Sequence, residues 1–271
     1  MLDVTVILAG NMKAPIVLIG IGELGGEFAR GFLRCGHPIY PITRQMDMSV
    51  ECSRIPSPAL VLISVQENQL DSVLSDLPEP WQDKIGLVQN ELLPQHWQRH
   101  NISEPTVAVV WFEKKPTIAL TNILYTPVYG PRAELLSQAL DAIKIPRRIL
   151  SSTDQLLYEL LRKSLYIMTV NICGLAYGGT AGNLWKQHEN LMREVAMEAI
   201  GILEWLTDRQ LPAEKLIAGM VEGIDDCPDR NSLGRSAQAR LERALQYARE
   251  AGLDSPRMQE IYLQTFKNSK G

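Results

Sequence analysis

A glycine-rich hexapeptide near the start of the chain has residue types and spacing that suit a phosphate group. It consists of Gly20, Ile21, Gly22, Glu23, Leu24 and Gly25, in the pattern GxGxxG. In such a loop the first glycine permits a tight turn, the second lets a pyrophosphate approach the backbone, and the third lets the following helix pack closely. Backbone N–H groups at the helix start then face the phosphates. The pattern predicts dinucleotide binding, and a strand–turn–helix that binds nothing is the less favoured alternative.

The residues near position 43 indicate which dinucleotide is bound. Sites for NAD usually carry an acid about 20 residues beyond the first glycine, where it accepts from the ribose 2′-hydroxyl. No acidic residue lies between positions 38 and 45, and Thr43 and Arg44 occupy the expected place. A hydroxyl and a planar guanidinium suit a 2′-phosphate instead. We therefore predict NADP(H) as the cofactor, the alternative being an arginine that is merely exposed after a strand.

Alternating apolar patterns in the first half of the chain predict the elements that position these residues. Strands are predicted over 15–19, 38–42, 59–65, 85–88 and 106–110, and helices over 24–35 and 69–77. A β-rich stretch over 117–128 predicts a hairpin or two edge strands, followed by a helix as far as residue 143. The alternation predicts an α/β fold with an N-terminal Rossmann-type, doubly wound parallel sheet over 1–150. Residues 1–14 are expected to form a lead-in or an extra strand.

The second half of the chain has almost only helical patterns. They cover 154–177, 184–208, 213–223, 235–251 and 256–267, and predict an all-helical C-terminal domain over 151–271. The glycine-rich residues 178–182 follow a helix, not a strand, and therefore predict a break between two helices. The run of Arg235, Arg240, Arg243 and Arg249 alternates with glutamates and predicts a solvated helix face.

Composition argues against several other classes of protein. The length of 271 residues suits two domains, and a net charge of -4 provides no field that would attract nucleic acid or an anionic membrane. No apolar run is long enough to cross a bilayer. The four cysteines are scattered without a CxxC pair, and His96 and His100 lack a third ligand. We expect a cytoplasmic protein with reduced thiols and without a metal.

Several further motifs in the first domain match one known family. Beyond the glycine loop they are Gly36-His37, Arg44, Gln69, Gln89-Asn90 and Tyr129-Gly130-Pro131. With these motifs the chain resembles, over nearly its whole length, the ketopantoate reductases, NADPH-dependent enzymes that reduce a 2-keto acid. Gln66 stands where that family has a lysine, and Glu91 where it has a glycine. The resemblance implies that Asn90 lies beside the nicotinamide and that Gln66 hydrogen-bonds to the cofactor.

The resemblance extends into the helical domain, where the family carries a lysine with asparagines four and eight positions later. Lys163 and Asn171 match, whereas Ile167 replaces the middle asparagine. The family's substrate-binding serine and glutamate correspond to Ser232 and, two residues early, to Glu242. The resemblance implies that Lys163 supplies a proton or positive charge to the keto oxygen and that Asn171, Ser232 and Glu242 bind substrate. From spacing alone, Lys163 would instead keep its ammonium in water, and Asn171 would bond either substrate or a neighbouring backbone group.

Together these features imply an NADPH-dependent oxidoreductase of a small 2-keto acid, as the family reduces 2-dehydropantoate to pantoate. The helical domain would be of the 6-phosphogluconate dehydrogenase type. The departures at positions 66, 167 and 242 leave two alternatives open: a different keto or imino substrate, or an NADP(H)-binding protein of the same fold without activity. The long helices at 154–177 and 184–208 suit either a homodimer interface or the core of the helical domain.

Overall fold

The computed structural model describes residues 13–114, 117 and 120–267. The lead-in or extra strand predicted over residues 1–14 lies outside the described residues except for Lys13 and Ala14. The chain divides into two compact units, Met1–Leu157 and Tyr158–Gly271. This division lies a few residues after position 150, in a helix whose Gln155 is hydrogen-bonded to Ser151 and Ser152.

A seven-stranded sheet forms the centre of the first unit. The strands in chain order are β1 (Ile16–Ile19), β2 (Ile39–Ile42), β3 (Leu60–Ile63), β4 (Ile85–Leu87), β5 (Thr106–Ala108), β6 (Phe112–Glu113), β7 (Thr121–Asn122), β8 (Thr126–Tyr129) and β9 (Arg147–Ile149). Strands β6 and β7 pair with each other, and the remaining strands lie in the order β2-β1-β3-β4-β5-β8-β9. The strand order reverses between β1 and β3, so the carboxyl ends of these strands flank the point where open α/β sheets bind ligands.

Helices of the first unit cover the two faces of this sheet, as the alternating patterns predict. They are α1 (Glu23–Arg34), α2 (Met48–Arg54), α3 (Glu67–Ser75), α4 (Glu79–Gln82), α5 (Gln95–Gln98) and α6 (Ala133–Ala142). The predicted doubly wound α/β fold is confirmed. The sequence patterns did not predict α2, α4, β6 and β9. The start of α2 has a local cause, because the Asp47 carboxylate accepts from the Ser49 N–H at 2.8 Å.

One part of the sheet differs from the parallel arrangement expected. Strand β8 runs antiparallel to β5, and β9 is parallel to β8. The chain leaves β5 into the β6–β7 ribbon, which reverses its direction and returns it beside β5. The turn after β8 needs Gly130, whose φ is +116° and whose added Cβ would lie 2.5 Å from the Pro105 carbonyl oxygen.

The core of the first unit joins β1, β3 and α1. Both strands are apolar runs buried on both faces, which is the pattern of central parallel strands. Helix α1 contributes Phe28 and Phe32, both fully buried. Helix α1 also approaches α6 closely at Gly31, where an added Cβ would lie 2.3 Å from the Ala139 carbonyl oxygen. Gly36 (φ +82°) follows α1, and the buried His37 places Nδ1 2.8 Å from the Ala14 carbonyl oxygen.

The second unit is helical, as predicted. Its helices are α7 (Thr153–Tyr177), α8 (Ala181–Thr207), α9 (Ala213–Asp225), α10 (Ala237–Ala251) and α11 (Pro256–Tyr262), followed by a π-helical turn, Leu263–Lys267. The break predicted over 178–182 is confirmed, with Gly178 and Gly179 at positive φ between α7 and α8. Helix α8 is kinked at His188. No helix in the described part of the chain is long and apolar enough to span a bilayer.

Two glycines of α1 give a matched test of the contact between α1 and α6. We expect Gly31→Ala to lower the free energy of unfolding by about 1–3 kcal/mol, because the new methyl group must displace the α6 backbone. Gly26 lies on the same helix with nothing within 4 Å of an added Cβ. Gly26→Ala should therefore raise stability by about 0.5–1 kcal/mol. Urea unfolding measures both changes, and equal effects of the two variants would contradict the packing described.

Candidate functional site

Close backbone contacts hold the glycine loop between β1 and α1. Gly20 has a φ of +93°, and its added Cβ would lie 3.0 Å from backbone atoms of Ser64 and Val65. An added Cβ on Gly25 would lie 2.3 Å from the Gly20 carbonyl oxygen. The first and third glycines of the motif therefore let the turn, the start of α1 and the end of β3 approach one another more closely than any side chain would permit.

The same loop presents a row of backbone donors. Within the described part of the chain, the N–H groups of residues 21–25 have no hydrogen-bond acceptor. The bond from the Gly26 N–H to the Gly22 carbonyl oxygen, at 2.8 Å, closes the first turn. Ile21 and Gly22 are exposed, and an added Cβ on Gly22 would meet nothing within 4 Å. Free donors at the start of a twelve-residue helix favour an anion, so this loop fits a pyrophosphate.

The two remaining residues of the motif begin α1. Leu24 packs against the core. The Glu23 carboxylate lies 4.0 Å from the Lys114 ammonium, which follows β6. An acid in the first turn of a helix is favoured by the helix dipole but repels a bound phosphate. The neighbouring ammonium reduces that repulsion.

The residues that follow β3 and β4 lie at the same edge of the sheet as the glycine loop. Gln66 and Asn90 are exposed, and their side chains have no hydrogen-bond partner among the described residues. Gln89 is buried, and its Nε2 donates to the Ile63 carbonyl oxygen at 2.7 Å. Glu91 has a φ of +54°, so the turn keeps the left-handed backbone that favours glycine. The Gln89 amide thus holds together the strand ends that present Gln66 and Asn90.

Thr43 and Arg44 follow β2 in an exposed turn. The turn closes with the Met46 N–H donating to the Thr43 carbonyl oxygen at 3.1 Å. Within the described residues, the Arg44 guanidinium has no hydrogen-bond or ion-pair partner. A planar donor group without a protein partner beside β2 is suited to a phosphate.

Lys163 lies in the interior of α7, with 6% of its surface exposed. Little of the Lys163 side chain is therefore in contact with water, and its role toward the keto oxygen stays a prediction. Ile167, one turn later, is also buried. Cys173 on the same helix is excluded as a nucleophile, because burial raises the pKa of its thiol to about 12.

Asn171 belongs to a polar network inside the second unit. Its Nδ2 donates to the Ser232 carbonyl oxygen at 2.8 Å, and its Oδ1 accepts from Arg240 at 2.5 Å. Ser232 is fully buried, and its hydroxyl donates to the Gly179 carbonyl oxygen at 3.0 Å. Of the two partners predicted for Asn171, the structure therefore supplies the backbone group. Substrate binding by Asn171 and Ser232 stays a prediction, and for Ser232 it would require exchange of this bond.

The two polar residues predicted on α10 have opposite environments. Glu242 is exposed and accepts from Gln238 at 3.0 Å. It lies outside the network of Asn171, so substrate binding by Glu242 also stays a prediction. Arg240, expected on a solvated face, is 4% exposed. That expectation is wrong, because Arg240 lies three residues after Ala237 on the stripe that α10 buries.

Sequence reasoning missed the structural roles of three residues that organise these sites. Ser64 contacts the glycine loop, Gln89 joins β3 to β4, and Arg240 holds the Asn171 amide. For Arg240 a signal existed, since position 240 falls on the apolar periodicity of its helix. Gln89 belongs to the Gln89-Asn90 motif that matches the family, but the motif gave it no structural role. For Ser64 the only signal was a polar residue directly after an apolar strand. Among the described residues, no group of three or more His, Cys, Asp and Glu side chains is arranged to hold a metal ion.

Comparison with known proteins gives a match in structure without a match in sequence. No family model matches the chain, and no curated protein is significantly similar to it. The 2-dehydropantoate 2-reductase of Methylococcus capsulatus has a similar structure, with a TM-score of 0.66 at 13% identity, over 94% of this chain and 97% of that one. A dimeric ketopantoate reductase from Staphylococcus aureus gives 0.57 at 17% identity, over 95% and 100% of the two chains.

A third similar structure comes from an enzyme that is not described as a ketopantoate reductase. It is a D-mandelate dehydrogenase in a ternary structure with NADH and anilino(oxo)acetate, and it gives a TM-score of 0.64 at 11% identity, over 94% of this chain and 98% of that one. All three similar structures are of oxidoreductases. The chain therefore has the fold of the ketopantoate reductases, and the resemblance seen in the sequence is confirmed at the level of the fold.

The Asn171 network gives a test of stability. We expect Asn171→Ala to lower the free energy of unfolding by about 1–3 kcal/mol, because the Ser232 carbonyl loses its donor and the Arg240 guanidinium loses an acceptor inside the unit. Gln238→Ala, which removes an exposed partner of Glu242, should change it by less than about 0.5 kcal/mol. Urea unfolding of both variants is the measurement, and a neutral Asn171→Ala would contradict an amide whose hydrogen bonds stabilise the unit.

Proposed function

We propose that the first unit binds NADP(H), with the pyrophosphate over residues 20–25. The observation that carries this proposal is the row of unbonded N–H groups at residues 21–25, next to the open face of Gly22. In a loop that binds no ligand, such N–H groups would be hydrogen-bonded either to other protein groups or to water. Here, at the carboxyl ends of β1 and β3, they suit an anion better than any other ligand.

Arg44 supports NADP(H) over NAD(H) within this proposal. Its guanidinium is exposed after β2 and has no partner among the described residues, and no acid stands between positions 38 and 45 to accept from a ribose 2′-hydroxyl. The Thr43 hydroxyl would add a hydrogen bond to the same phosphate. Gln66 and Asn90 would contact the rest of the nucleotide from the ends of β3 and β4.

We propose further that the protein reduces a small 2-keto acid, with 2-dehydropantoate as the reference substrate. Bound NADPH supplies a hydride to the keto carbon. The buried Lys163 supplies the proton or positive charge that the developing oxyanion needs, since a positive charge in a site shielded from water stabilises a developing negative charge more strongly than one in water. Asn171, Ser232 and Glu242 are the proposed substrate-binding residues.

A protein that binds NADP(H) without catalysis is the second candidate, and the Asn171 network favours it. Both amide atoms of Asn171 and the Ser232 hydroxyl are bonded to other protein groups. Because Ser232 is fully buried and its single hydroxyl proton is donated to Gly179, it would have to exchange that bond in order to donate to a substrate carboxylate. We also propose a cytoplasmic homodimer, in line with the dimeric reductase of similar fold. Mass determination in solution tests the oligomeric state, and a monomer at micromolar concentration would contradict a stable dimer.

Cofactor preference is tested by Arg44→Gln. We expect this variant to bind NADPH about 10- to 100-fold more weakly, because charge-assisted hydrogen bonds to the 2′-phosphate are lost. Affinity for NADH, which lacks that phosphate, should stay within about twofold. Arg54→Gln is the control, since Arg54 is also exposed but pairs with Glu51 at 3.1 Å. Calorimetric titration of each variant with each nucleotide measures the four dissociation constants. An equal loss of affinity for NADPH and NADH in Arg44→Gln would contradict the role of Arg44.

Catalysis is tested by Lys163→Met, which keeps the length of the side chain and removes its charge. We expect kcat for 2-dehydropantoate to fall by about 100-fold or more, while the Kd of NADPH stays within about twofold. Turnover is followed by NADPH oxidation with a panel of 2-keto acids. Tight NADPH binding by the wild-type chain with no turnover across the panel would support the non-catalytic candidate, and full activity of Lys163→Met would rule out its assigned role.

A further inference from the structure

Ser64, the first residue after β3, makes the shortest side-chain contact with the glycine loop. Its hydroxyl donates to the Gly20 carbonyl oxygen at 2.6 Å and lies 3.5 Å from the Ile19 carbonyl oxygen. Its N–H donates to the Ile19 carbonyl oxygen at 2.8 Å. An added Cβ on Gly25 would lie 2.6 Å from the same hydroxyl. Ser64 is therefore in contact with both ends of the loop.

The bond from Ser64 fixes the orientation of one peptide group. In a trans peptide the C=O and the following N–H point in opposite directions, and the described chain contains no cis peptide. Because the Gly20 carbonyl points toward the Ser64 hydroxyl at the end of β3, the Ile21 N–H must point away from Ser64. That N–H is the first of the unbonded donors at residues 21–25. A rotated peptide would place a carbonyl oxygen there instead, and an oxygen repels phosphate.

We propose that Ser64 is a positioning residue for the nucleotide: its hydroxyl holds the Gly20–Ile21 peptide with the N–H toward the pyrophosphate. This inference rests on the proposed binding of NADP(H) by the loop. Ser64 does not contact the nucleotide in this proposal. Its effect is confined to the pyrophosphate, whereas the 2′-phosphate is bound by Arg44 in a separate turn.

The separation of these two roles gives the experiment. Two probes are titrated into the full-length chain: NADPH, which carries both phosphate positions, and adenosine 2′-monophosphate, which lacks the pyrophosphate. We expect Ser64→Ala to weaken NADPH binding about threefold to tenfold, the value of one hydrogen bond. Its affinity for adenosine 2′-monophosphate should stay within about twofold of the wild-type value. Arg44→Gln should weaken binding of both probes. Ser64→Thr, which restores the hydroxyl, should recover NADPH affinity.

Ser75→Ala is the matched control, because that exposed hydroxyl donates to the Asp71 carbonyl oxygen at 3.0 Å within α3, away from the loop. Ser75→Ala should change neither the dissociation constant of NADPH nor that of adenosine 2′-monophosphate. Wild-type affinity for NADPH in Ser64→Ala would overturn the inference. An equal loss of affinity for both probes would also overturn it, because such a loss indicates general damage to the fold. If the wild-type chain itself binds neither probe, the proposed function fails, and this result is distinct from a failure of Ser64 alone.

Discussion

The close approach of three backbone segments at the carboxyl ends of β1 and β3 is the constraint on which the first unit depends. Gly20, Gly25 and Ser64 lie so near one another that a Cβ on either glycine would overlap its neighbours. This packing lets α1 start directly at the strand ends. The first N–H groups of any helix lack an intrahelical partner, and those of α1 have no acceptor among the described residues, so the helix start is available to an anion.

Much of this architecture could be predicted from local pattern. The apolar runs of β1 and β3, the helical spacing of α1 and the long helices of the second unit follow directly from periodicity. The strand β9 (Arg147–Ile149) could not be predicted, because its two arginines and its isoleucine are all exposed and its place is decided by pairing with β8. The antiparallel direction of β8 likewise depends on the β6–β7 ribbon, a non-local feature that periodicity does not report.

The candidate site was predictable to a different extent in each unit. In the first unit the motif itself specifies backbone geometry, so its glycines lie where the spacing requires. In the second unit the site residues were predicted from their amino-acid types and spacing alone. An amino-acid type does not determine which group a polar side chain will bond to. Asn171 and Ser232 are inside the helical unit and bonded to Arg240 and Gly179, respectively. A buried guanidinium of this kind needs acceptors, and an amide oxygen provides one at low cost.

The left-handed backbone at Glu91 has a consequence for motion. A residue with a Cβ occupies that conformation at a cost of roughly 1–2 kcal/mol, whereas a glycine would occupy it freely. The turn therefore keeps this backbone because Gln89 and the strand ends hold it there. Of the segments at this edge of the sheet, the one carrying Asn90 thus stores backbone strain, whereas the glycine loop adopts its left-handed turn at Gly20 without that cost.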